Sequence, residues 1–144
     1  MTRRTFIGSA VALSGLPLPL SAASRERRLR VGVLSDVHVE GPKKAELFEK
    51  SLRCFDAQKV DAVLIAGDLT VHSQLDEHRR VAETWFKVFP HDRRSDGEKV
   101  ERLFVTGNHD VDGWAYGRFK TVEQARPVSL SFNREKFWKE LWGE

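Results

Sequence analysis

The chain has 144 residues, which suits one domain. Its formal charge is +3, from 24 basic and 21 acidic residues, and setting aside Arg3 and Arg4 leaves 22 against 21. That balance excludes a nucleic-acid partner read from charge, which needs basic residues clustered over the folded domain, and the single cysteine, Cys54, excludes an internal disulfide.

Met1 to Ala23 reads as a secretory signal peptide. Arg3 and Arg4 supply the positive start, Ile7 to Leu20 is a modestly apolar run, and Ser21-Ala22-Ala23 offers small residues for cleavage. The Arg-Arg pair followed by Phe6 resembles the twin-arginine export motif, so an exported, periplasmic or secreted protein is expected. The apolar run is shorter than the roughly 20 residues a bilayer needs, and Pro17 and Pro19 interrupt it, so no stable membrane insertion is expected. Residues 24–28 then form a basic tail, and residues 29–144 the domain.

Leu29 to Leu34 is short and β-branched and predicts a strand. Lys43 to Gln58 predicts a helix, with Ala45, Leu47, Phe48, Ser51, Leu52 and Phe55 at helical spacing and Cys54 expected as a buried small hydrophobe. Asp61 to Ala66 is nearly continuous apolar sequence, as in a strand covered on both faces. Gln74 to Phe89 predicts a second helix, with Leu75, Val81, Ala82, Trp85 and Phe86 on one side. Asp96-Gly97 marks a turn, and Leu103 to Val105 a third strand. Trp114, Tyr116 and Phe119 fall in a Gly-rich loop that packs on the core, and Asn133 to Trp142 closes as an amphipathic helix showing Phe137, Trp138, Leu141 and Trp142. Strand alternating with helix is a crossover pattern, so the fold class is α/β with parallel strands.

Each strand ends in polar residues of unusual type: Ser35-Asp36-Val37-His38, Gly67-Asp68-Leu69-Thr70, and Thr106-Gly107-Asn108-His109-Asp110. The carboxyl ends of parallel strands share one edge, where ligands bind. Asp36 and His38 are two apart and in a regular strand point the same way. Mixed carboxylate and imidazole donors suit Mn, Fe, Zn or Ni better than Ca or Mg. Asp68 can set a carboxylate between two cations, and Asn108 adds a neutral oxygen. Two cations roughly 3.5–4 Å apart clamp a phosphoryl group and lower the pKa of a bridging water. His109 can protonate a leaving alkoxide, with Asp110 or a backbone carbonyl orienting its ring.

These three motifs, in this order and each after a strand, resemble the calcineurin-like metallophosphoesterases over roughly Leu29 to Asp110. The resemblance implies a fold of two packed sheets flanked by helices, of which this chain holds the N-terminal half. It implies that Asp36 and His38 hold one metal, Asp68 bridges, Asn108 holds the second, and His109 binds phosphate or acts as acid. It also implies a dinuclear site of Mn, Fe or Zn and a phosphate-ester substrate, monoester or diester. Val71 stands where a purple-acid-phosphatase-like branch would carry a tyrosine, so the branch with Asp-x-His is expected.

The family pattern continues with a further histidine and a Gly-His-x-His motif. All five histidines here, His38, His72, His78, His91 and His109, precede Asp110. The expectation is therefore a truncated enzyme, weak or inactive alone and open to completion by another chain, with a non-catalytic binding module or a degenerate fragment of such an enzyme as the alternative. His72, His78 and His91 are expected at the surface.

Overall fold

The computed structural model describes residues 28–115 and 118–143, so the expected signal peptide, nearly all of the basic tail and Tyr116 lie outside the described residues. Three parallel strands, β1 (Val31–Leu34), β2 (Ala62–Ala66) and β3 (Glu101–Val105), form one sheet in the order β1-β2-β3. The register sets Val33, Leu64 and Leu103 in one row and Leu34, Ile65 and Phe104 in the next. Alternate rows face opposite sides of a sheet, which divides it into two unlike faces.

On one face Val63 and Ile65 are fully buried. They lie beneath helices α1 (Pro42–Ala57), α2 (Leu75–Val88) and α5 (Leu130–Trp142), which contribute Phe48 and Leu52, Val81 and Trp85, and Trp142 to one core; two short helices, α3 (Asn108–Asp112) and α4 (Val122–Ala125), come between α2 and α5. Gly32 is needed there, because a Cβ would sit 2.8 Å from the Phe55 ring. On the other face Val33 is 57% exposed, Leu103 47% and Val105 54%. The expectation that β2 is covered on both faces therefore holds only for the helix side, since Leu64 is part-buried and Ala66 exposed.

Helix α1 begins at Pro42, whose fixed φ suits a first helical position and whose missing N–H is not needed there. Cys54 is exposed, contrary to its expected burial. It lies two residues past Leu52, about 200° round the helix and so off the buried stripe. Leu47, also assigned to that stripe, is 52% exposed. Helix α5 starts three residues before its expected boundary because the Ser129 side chain caps it by accepting from the Ser131 N–H. Its aromatic face does not want for a partner. The Trp142 ring meets Phe104 edge-to-face at 5.2 Å and tilts against Phe86 at 5.7 Å. Trp114 packs against Phe132 with ring centroids 5.9 Å apart, in a single 3-10 turn (Gly113–Ala115) and away from the main core on which it was expected to pack. Among the described residues no helix is long and apolar enough to cross a membrane.

Candidate metal centre

The residues after the three strands converge at one edge. Beyond β1 the chain keeps company with the loop after β2, through Asp36 N–H to the Gly67 carbonyl (3.2 Å), His38 N–H to Asp68 (3.0 Å) and Val39 N–H to Leu69 (2.9 Å). Asp36 and His38 are not in regular strand. Their φ values are +53° and +46°, and Asp68 has +52°. Three non-glycine residues in the left-handed region, one after another along a ligand edge, are strain held by surrounding hydrogen bonds, as functional sites commonly show.

His38, Asp68 and His109 each bring one donor atom within 4.8 Å of the others. The His38 Nε2 lies 4.0 Å from an Asp68 carboxylate oxygen and 3.9 Å from one of Asp36, whose side chain is 64% exposed. The His38 and His109 rings meet edge-to-face at 4.6 Å. Asp68 uses its other oxygen to accept from the His109 N–H at 2.9 Å. Asn108 opens the short helix α3 (Asn108–Asp112) at the same edge, with its residue surface exposed.

Close approach of backbone makes this possible. A Cβ on Gly107 would lie 2.1 Å from the Asp68 Oδ1 and 2.6 Å from its backbone nitrogen. Only glycine lets the two loops touch there. Gly113 serves likewise, since a Cβ would come within 2.7 Å of the Ser73 nitrogen.

Of the two groups weighed for orienting His109, the carbonyl does so. The Val71 carbonyl lies 2.8 Å from Nδ1, and because a carbonyl only accepts, Nδ1 carries the hydrogen. Asp110 points inward instead. Its carboxylate, in a residue only 2% exposed, accepts from the backbone N–H groups of Leu69, Thr70 and Gly107 and from the Thr70 hydroxyl, all at 2.9–3.0 Å. It ties the second loop to the third. The bond from Gly107 is the reach-back half of a capping box, with Asp110 at the third helical position.

His78 is buried, not superficial, and His72 is half-buried, while His91 is exposed as expected. The Thr70 hydroxyl spends its hydrogen on Asp110, so at 3.3 Å it accepts from the His78 Nε2–H. Among the described residues the His78 Nδ1 then has no hydrogen-bond partner. Burial pushes this imidazole down to about 4, against the opposing pull of the Asp110 and Asp76 carboxylates. Sequence reasoning missed Glu77 as well, a fully buried carboxylate that accepts from both His72 N–H and His72 Nδ1–H at 2.8 Å. A signal was present: Glu77 and His78 lie on the same helical stripe as Val81, Ala82 and Trp85, and a charge on an apolar stripe requires a partner.

Carboxylate and imidazole donors gathered at the carboxyl edge of a parallel sheet define a metal-binding α/β domain. The family model for the calcineurin-like phosphoesterases matches residues 29–143, and the chain belongs to that family. At family level this makes it a metal-binding hydrolase of phosphoesters. The match runs well past Asp110, where the recognisable motifs end. No curated protein matches the chain.

Proposed function

We propose that the chain carries the N-terminal part of a two-metal phosphoester-hydrolase site, with Asp36 and His38 as ligands of one ion, Asp68 between the two, and Asn108 on the second. The observation that carries this reading is the convergence of His38, Asp68 and His109 donors within 4.8 Å. The donor set fits Mn, Fe or Zn, since it mixes nitrogen with anionic oxygen on partly buried residues. Bound ions would supply Lewis-acid stabilisation of phosphoryl charge and a water of lowered pKa.

The protein's own part is positional. Asp68 is held by the His109 N–H, so its second oxygen is directed away from that bond. His109, with Nδ1–H committed to the Val71 carbonyl, keeps Nε2 as the nitrogen that accepts or gives a proton. In the reaction it acts as the acid that protonates the leaving alkoxide. Asp110 is assigned a positioning role rather than proton transfer, because its four hydrogen bonds all go to loop groups.

Asp36, His38, Asp68, Asn108 and His109 are too few donors to complete two coordination shells, so turnover by this chain alone is expected to be slow. The same shortage, with the bare sheet face bearing Val33 and Leu103, favours a metal-poor binding module as the second reading. Elemental analysis after refolding with Mn, Zn or Fe separates them: close to two ions per chain supports the enzyme, and none supports the module. Hydrolysis of an aryl phosphate or a bis-aryl phosphodiester by the loaded protein, abolished by Asp68→Asn, supports the chemistry. An unchanged rate in Asp68→Asn and His109→Ala would refute it. Export rests on the Arg3-Arg4 start and the apolar run, and is tested by finding the protein, processed near Ala23, outside the cytoplasm.

A further inference from the structure

One peptide group at the site is gripped from both sides. Its carbonyl belongs to Val71 and accepts from the His109 Nδ1–H at 2.8 Å. Its N–H belongs to His72 and donates to the Glu77 Oε2, also at 2.8 Å. In a trans peptide these two bonds leave in opposite directions, so Glu77, the peptide and the imidazole form one row. Glu77 is fully buried, and its other oxygen is held by the His72 Nδ1–H at 2.8 Å, with the Arg118 guanidinium 3.7 Å away. The carboxylate is therefore fixed in place by contacts that do not themselves reach the metal edge.

We propose that Glu77 is a positioning residue for His109, acting through the Val71–His72 peptide. A carboxylate pulling on an amide hydrogen polarises the whole amide and makes its carbonyl a better acceptor, because hydrogen bonds in a row reinforce one another where water is excluded. The stronger acceptor holds the His109 hydrogen on Nδ1 and fixes the ring plane, which reserves Nε2 for substrate chemistry. This is the carboxylate–histidine pairing that tunes working imidazoles, lengthened by one amide. Its meaning for turnover rests on the phosphoesterase reading above; the relay itself does not.

The test uses ring ¹⁵N spectra of the metal-free chain at one fixed alkaline pH, where the tautomer of each histidine is read directly. Wild type should show His109 as the Nδ1–H form. Glu77→Gln keeps the size and an acceptor oxygen but removes the charge, and should lower the Nδ1–H share. Glu77→Ala should lower it further. His72→Ala removes a side chain yet leaves the peptide, and should keep the wild-type tautomer. An unchanged His109 tautomer in Glu77→Gln overturns the proposal, even where Glu77→Ala fails to fold. So does a loss in His72→Ala as large as that in Glu77→Gln, because the route would then run through the side chain. In the metal-loaded protein Glu77→Gln should lose about 10- to 100-fold in kcat, with KM within about twofold. A shifted tautomer with an unchanged kcat overturns the positioning role. A shifted tautomer in a protein that never hydrolyses phosphoesters leaves the relay standing and removes the reaction assigned to the site.

Discussion

Gly107→Ala is the most direct perturbation of the metal centre that leaves every donor side chain in the sequence. Its Cβ would fall 2.1 Å from the Asp68 Oδ1, 2.6 Å from the Asp68 nitrogen and 2.7 Å from its Cγ. Because one of those atoms is backbone, swinging the carboxylate aside does not relieve the clash; the two loops must part. Parting them stretches the His109 N–H bond to Asp68 and the Leu69 and Thr70 N–H bonds to Asp110. Overpacking costs about 1–3 kcal/mol, and a lost hydrogen bond to a charged group about 1.5–3 kcal/mol. Together they give a destabilisation of roughly 3–5 kcal/mol, or about 10–20 °C in Tm for a domain of this size. The assay is thermal unfolding with and without added Mn or Zn. Gly107→Ala should melt lower and lose most of the stabilisation that metal gives wild type. Gly41→Ala is the control, since nothing lies within 4 Å of its Cβ position and its φ is −161°, so about 1 kcal/mol or less is expected. A Gly107→Ala protein that melts with wild type and gains as much from metal refutes the close approach of the two loops.

Asp110→Ala strips four donors of their buried acceptor and should cost about 3–5 kcal/mol, with Asp110→Asn recovering part of it; equal melting of all three proteins in denaturant would contradict the pinning role. His78, ordinarily near 6.5, is pushed down to about 4 by burial, so the folded protein resists a proton that the unfolded chain accepts. Its contribution is present above pH 6.5 and is lost as pH falls toward 4, with roughly 2 kcal/mol gone by pH 5. Urea melts of wild type should follow that slope, and those of His78→Gln should be flatter; identical slopes refute the assignment. Trp142→Ala removes the anchor of α5 against Phe104 and Phe86 and should cost about 3–5 kcal/mol by chemical denaturation. Val33→Thr on the bare sheet face should change stability by less than about 1 kcal/mol while lowering the binding of an apolar dye.

The order of strands and helices was legible because hydrophobic spacing is local. The continuous apolar run before Gly67, and the stripe of Val81, Ala82 and Trp85, place β2 and α2 within a residue of where they lie. The three polar strand ends were legible for the same reason, since parallel topology carries them to one edge. What the pattern could not show is which face of the sheet the helices cover, because Val33 and Leu103 are as apolar as Ile65 and differ only in what packs against them. Cys54 illustrates the same gap, as a small residue in an amphipathic helix reads alike one step on or off the stripe.

The amino-acid sequence by itself offered the candidate donor residues and their order, because residue type sets which cations a group can bind. Only the tertiary structure decided what holds each of them. Asp110 turned out to be a buried fastener, His109 to be held by the Val71 carbonyl, and Glu77 to stand behind that same peptide. The physical reason is that a hydrogen bond is a matter of tenths of an ångström and of direction, and for Asp110 and His109 those are set by loops that meet from about 40 residues apart along the chain.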